Sequence, residues 1–306
     1  MRIRVLFTSL LMIALSTNAS AKLSVVCTLS DYCALAKAVG GEHVKVQSFA
    51  KVGEDPHYVD PKPSFIIKLH QADLLISNGL ELEIGWLPTL VLQARNRSVQ
   101  KGEPGRLIAG DVIDTILEVP TTKVDRSQGD VHPSGNPHLN HDPARMAVLT
   151  PVIAQYLSRL SPKNEAVFMA NARTVAGELE ALIAKSKQRF AALPTVKKQV
   201  VTYHKSLSYL LDSLGLKAAM YVEPKPGVAP TPRHTARVLS TMKRNAIPII
   251  VQESHYPQKT SSTLAKIARA RLVVIPGGTR SNQTYLENAQ ATIDSIYAGL
   301  SGGGSR

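Results

Sequence analysis

Residues Gly53–Leu87 read GEDPHYVDPKPSFIIKLHQADLLISNGLELEIGWL, and the order of elements in them decides the fold class. Pro56 and Pro61 restrict the backbone on either side of His57, so one imidazole is presented from a stiffened turn. Ser64 is in place to cap a short helix whose apolar side is Phe65, Ile66 and Leu69. Asp73–Ser77 (DLLIS) then reads as a strand covered on both faces, and a second helix follows around Ile84–Gln93. Trp86, at a helical position, reads as core. Loop, helix, buried strand and helix in that order belong to an α/β layer.

The same alternation extends in both directions. Leu23–Thr28 is a first strand, and Ser30 or Asp31 caps a helix closed at Gly40-Gly41. His43–Phe49 is a second strand, and Arg106–Ala109 a short one. Asp142 and Pro143 start a helix to about Leu160, as N-cap and first helical residue. Residues 162–193 form the longest uninterrupted helical pattern. At about 1.5 Å per residue it reaches about 45 Å, longer than one small domain, so it bridges two. After Pro194 strands and helices alternate again through Gln199–Tyr203, Lys217–Val222, Ile247–Gln252 and Leu272–Ile275. The resulting expectation is an α/β protein of two lobes with parallel sheets, joined by one long rigid helix, with a site in the cleft between them. The N-terminal lobe covers 22–161 and the C-terminal lobe 194–306.

Met1–Ala21 stands apart: two arginines, an apolar run and an Ala19-Ser20-Ala21 cleavage pattern make it a secretory signal peptide. No cysteine stands immediately after the cleavage point, so the expectation is a periplasmic protein without a lipid anchor. The chain has 306 residues, 44% apolar and 19% charged, as a folded protein should. Its formal net charge of +13 is spread along the chain with no dense block. That excludes a nucleic-acid binder and leaves a solvated basic surface. The two cysteines, Cys27 and Cys33, face an oxidising compartment. A disulfide contributing roughly 2 kcal/mol and a pair of packed thiols both remain open.

Three of the nine histidines occupy equivalent places. His57 follows the second strand, His138 precedes a helix and His204 follows strand QVVTY. Ligands gather at the carboxyl ends of parallel strands, so three imidazoles from facing lobes converge on one point. Imidazole suits Zn2+, and three of them leave one coordination position to fill. The loop 117–141 also carries His132 and His141, which read as solvated loop residues. His43, His70 and His234 read as structural or surface residues.

At these residues a family becomes recognisable. GEDPHYVDPKPS with ADLLISNGLELEIGWL resembles the solute-binding proteins of zinc and manganese ABC importers, the cluster A-I or TroA-like family. NPHLNHDPARM, VVTYHKSLSYLLDSLGL and VQESHYPQKTSSTLAKIA are similar to its later segments, in the same order. The resemblance implies two α/β lobes joined by a long helix. It also implies His57, His138 and His204 as metal ligands, and a membrane permease as partner to a monomeric carrier. Histidine at the third position accompanies zinc in that family and glutamate accompanies manganese, so Zn2+ is expected and Mn2+ is the lesser alternative. The family's usual aspartate near the last Gly-Gly turn is missing here. Glu253, at a strand's carboxyl end, is the candidate fourth ligand, with His255 or water as alternatives. Two other functions fit some of these residues. A zinc hydrolase would use the three histidines with Glu253 as base, although neither H-E-x-x-H nor G-x-S-x-G occurs. A manganese-specific binding protein or surface adhesin is the other.

Overall fold

The computed structural model describes residues 21–122 and 131–302. The leader, Ala21 aside, lies outside the described residues. Among those described, no helix is long and apolar enough to cross a membrane.

The first lobe is built on β1 (Leu23–Cys27), α1 (Ser30–Gly40), β2 (Val44–Ser48), α2 (Pro63–His70), β3 (Leu74–Ser77), α3 (Leu87–Ala94) and β4 (Arg106–Ile108). Its four strands are parallel in the order β2-β1-β3-β4. All four residues of β3 are buried, as a strand covered by helices on both faces must be. Two caps differ from expectation. Pro63 takes the first helical position of α2, so the cap falls on Lys62, which has no side-chain acceptor, and Ser64 is already inside the helix. Neither Ser30 nor Asp31 caps α1, because Asp31 is engaged elsewhere: its carboxylate accepts from Asn140 at 2.7 Å and from Thr279 at 2.6 Å. Cys27 and Cys33 form a disulfide, with Cα atoms 5.6 Å apart.

Helix α4 (Pro143–Leu160) begins as expected, with Asp142 accepting from the amide of Ala144 at 3.3 Å. A single turn at Pro162–Asn164 leads into α5 (Glu165–Ala191), 27 residues long, or about 40 Å. Phe168, Ala172, Leu179, Leu182, Ser186 and Phe190 bury one face of it. This stripe packs on α1 and α4, and further along on the last helix, α9 (Tyr285–Ser301), so α5 joins the two lobes. Arg189 of α5 pairs with Asp294 and stacks over Tyr297 at 3.7 Å, fastening its far end.

The second lobe repeats the layout with β5 (Gln199–Thr202), α6 (Ser208–Ser213), β6 (Lys217–Tyr221), α7 (Pro232–Arg244), β7 (Ile249–Glu253), α8 (Gln258–Ala268) and β8 (Arg271–Ile275). Its parallel order is β6-β5-β7-β8. Each sheet therefore reverses its winding beside its first strand, which opens a crevice at the carboxyl edge. One apolar cluster runs from Val25 and Leu75 through α5 to Leu211, Ile249 and Ile296. A smaller one, around Val201, Val238 and Ile250, lies within the second lobe. A core shared by both lobes resists wide opening, since separating them would expose buried apolar side chains at about 1.5–3 kcal/mol each.

Candidate metal centre

His57 sits in a one-turn helix, Pro56–Tyr58, after β2. Asp55 Oδ1 accepts from the backbone amide of His57 at 3.0 Å and from its Nδ1 at 2.8 Å. His138 is held by the same device one loop later. Asn136 Oδ1 accepts from its amide at 3.0 Å and from its Nδ1 at 2.8 Å. Both turns read Asx-Pro-His, and the proline between acceptor and histidine stiffens them. The proline carbonyls are held too: Trp86 Nε1 donates to Pro56 O at 2.9 Å, and Asn78 Nδ2 to Pro137 O at 2.7 Å. Trp86 is core, as expected, and also fixes the first turn.

His204 follows β5 at the switch point of the second sheet, where Thr202 Oγ1 donates to its carbonyl at 2.7 Å. Its Nδ1 donates to Glu223, two residues beyond β6. Asn136 Nδ2 donates to Lys205 O at 2.9 Å, tying the His138 turn to the His204 turn across the lobes. With every Nδ1–H given to an oxygen, each Nε2 keeps its lone pair for the centre.

His57, His138 and His204 are buried, and their ligand atoms all lie within 4.8 Å of one another. Among the described residues, no other group of three or more histidines, cysteines or carboxylates converges so closely. Glu253 lies outside it. It ends β7, is 1% exposed, and its Oε1 is 3.8 Å from His141 Nε2. That oxygen and both ring nitrogens of His255 have no hydrogen-bond partner among the described residues. Both residues line a small cavity that also touches His57, His138 and His141. The Gly277-Gly278 turn delivers Thr279 to Asp31 rather than a carboxylate to the histidines.

The solvated reading of the loop histidines is corrected by packing. His132 is 8% exposed and its Nε2 is 3.3 Å from that of His57. The His141 side chain is 14% exposed, against Glu253. His70 and His234 are structural: a ring nitrogen of each meets a backbone carbonyl, of Ala94 and Tyr221, at 2.9 Å.

The environment sets these groups apart electrically. Burial, helped by the surrounding imidazoles, pushes His138 well below the ordinary histidine pKa, so it stays neutral. Burial works against the charged form of His204 as well, but the Glu223 carboxylate outweighs it and raises the pKa. Burial alone would raise Asp55, yet its bonds and attraction to His57 prevail and hold it at about 2. Imidazoles with anchored far nitrogens can accept a divalent cation at the other nitrogen and do not by themselves supply a nucleophile.

Comparison with known proteins agrees with this architecture. The family profile described as zinc-uptake complex component A, periplasmic (ZnuA), matches residues 25–299. The manganese ABC transporter substrate-binding lipoprotein PsaA of Streptococcus pneumoniae is 27% identical over 82% of this chain and 78% of its own. The metal ABC transporter substrate-binding lipoprotein SloC of Streptococcus mutans is 26% identical, covering 93% and 92%. A crystal structure of ZnuA superposes with a TM-score of 0.74 at 20% identity, covering 91% of this chain and 99% of that one. A mutant of the laminin-binding adhesin Lmb from Streptococcus agalactiae does so at 0.76, with 24% identity and coverage of 91% and 99%. These relatives correct one expectation. The streptococcal proteins are named lipoproteins, which are lipid-anchored at the membrane surface, against the unanchored state inferred from the residues after Ala21.

Proposed function

Because the chain belongs to the zinc-uptake component A family of metal ABC transporter substrate-binding proteins, we propose that its cargo is Zn2+. Members of this family are carriers, not enzymes; they take a divalent metal ion and pass it to a membrane permease. In our reading His57, His138 and His204 bind the ion through Nε2. The observation that carries this is three buried imidazoles whose ligand atoms approach within 4.8 Å, each with Nδ1 engaged by an oxygen. A donor set made of nitrogen, with no carboxylate in the group, favours Zn2+ over the harder Mn2+.

The ion exchanges water for imidazole at a site whose ligands are already turned inward, so little ordering cost remains at binding. Residues 22–161 and 194–306 act as lobes about the 162–193 linker in a monomer. The shared core confines release to movements of the ligand-bearing turns. Glu253, facing His141 across the neighbouring cavity, stands apart from the ion and is not its ligand. Competition titration of the metal-free protein tests the reading: zinc displaces manganese completely at equal concentration. Retention of manganese under those conditions would overturn it.

A further inference from the structure

His132 is close to the three proposed ligands, yet the reading above leaves it without a task. It comes from the loop that also carries His138. Gly135, whose φ of +103° suits glycine, turns the chain between them and donates its amide to His132 O at 3.0 Å. The ring of His132 lies 5.3 Å from that of His57 between centroids, and the two Nε2 atoms are 3.3 Å apart. Because Asp55 takes the Nδ1–H of His57, the His57 Nε2 facing His132 bears a lone pair. A nitrogen–nitrogen separation of 3.3 Å is at the long end for a hydrogen bond. It does match the edge of a tetrahedron of nitrogens about 2.0–2.1 Å from zinc, which is about 3.3–3.4 Å.

We propose that His132 is the fourth ligand, closing a four-imidazole site where a carboxylate would otherwise stand. This rests on the reading that His57, His138 and His204 supply the other three. Charge supports it: Asp55 and Glu223 stand directly behind two of the imidazoles, so the dication needs no further carboxylate among its own ligands. His132 lies outside the 4.8 Å group, so it shares one edge with His57 and swings toward His138, 6.3 Å away between centroids, as the ion arrives. It also lines, with His138, His204, Glu118 and Lys205, an open cleft. The ion therefore meets His132 on its way in, and the same side chain then shuts the site behind it.

X-ray absorption at the zinc edge of the loaded full chain counts imidazoles directly. The expectation is four in the wild type and three in His132→Ala, with affinity in a competition titration falling by about 100-fold, the upper end for groups that merely support a ligand. His132→Gln, of similar size, behaves likewise, and His141→Ala keeps the wild-type count and affinity. A wild-type count of three imidazoles plus an oxygen, with His132→Ala binding within about twofold of wild type, overturns the assignment. If His138→Ala binds zinc as the wild type does, the three-histidine reading itself fails; loss of binding in that variant alongside a count of three removes His132 alone.

Discussion

The turns Asp55-Pro56-His57 and Asn136-Pro137-His138 share one design and differ in one charge. In each, a side-chain oxygen two residues ahead accepts from the histidine's amide and from its Nδ1, at matching distances. In each, the intervening proline carbonyl is pinned by a side chain from the Asn78–Trp86 region. Asp55 is ionised, held at about 2, while Asn136 is neutral, and the His138 it supports falls well below the ordinary histidine range. One geometry thus orients the two imidazoles proposed as ligands, with a carboxylate behind one and a neutral amide behind the other.

Removing a ligand is the harshest way to break the comparison. His57→Ala and His138→Ala each lower zinc affinity by more than about 100-fold, beyond what supporting groups contribute, in a competition titration. Equal losses would show that the two turns serve one ion. Exchanging the charges sharpens it. Asp55→Asn keeps the acceptor but removes the anion, and weakens zinc binding by about tenfold. Asn136→Asp raises the pKa of His138, which nitrogen-15 NMR of the imidazoles reads directly. Should Asp55→Asn leave affinity untouched, orientation alone matters and the charge does not.

Acidity separates His204, backed by the Glu223 carboxylate, from His138. Glu223 raises the pKa of His204 above its usual value, so protons compete with zinc for that ring at higher pH than for an ordinary imidazole. Zinc affinity therefore falls as pH drops through that raised value, while His138 contributes nothing to the slope. Without metal the sign reverses: the His204–Glu223 pair contributes fully below pH 6.5 and is lost as pH rises through the folded value. Melting temperatures of metal-free and zinc-loaded protein should diverge between pH 6 and 8. Asp55 works in the other window. Lowered from 3.8 to about 2, it contributes up to about 2 kcal/mol above pH 3.8, lost as pH falls toward 2. The smallest effect is expected from Trp86→Phe, which keeps the buried ring but drops its bond to Pro56, costing about 1 kcal/mol of stability in denaturant unfolding.

Much of this was legible in the residues. The alternation around DLLIS, the Asp142-Pro143 start of α4 and the length of α5 follow from local signals, and so do the three histidines, two after strands and His138 before a helix. Asp55 and Asn136 were not singled out, although Asx-Pro-His occurs twice and is the signal that could have found them. Glu223 was not: it lies 19 residues from His204 and reaches it through sheet order, which periodicity does not carry. Asp31 looked like a helix cap because local preference ignores Asn140 and Thr279, more than a hundred residues away. His132 looked solvated because its loop is polar. Its burial comes from packing against His57, a contact across 75 residues. Local chemistry is written locally; which distant groups share a turn is decided by the fold.

Diffraction from crystals of the zinc-loaded protein, collected at the zinc absorption edge, tests the central claim most directly. The account predicts one strong anomalous peak about 2.0–2.1 Å from the Nε2 atoms of His57, His138 and His204. A peak bonded to Glu253, His141 and His255 in the neighbouring cavity, with those three imidazoles unoccupied, would contradict it.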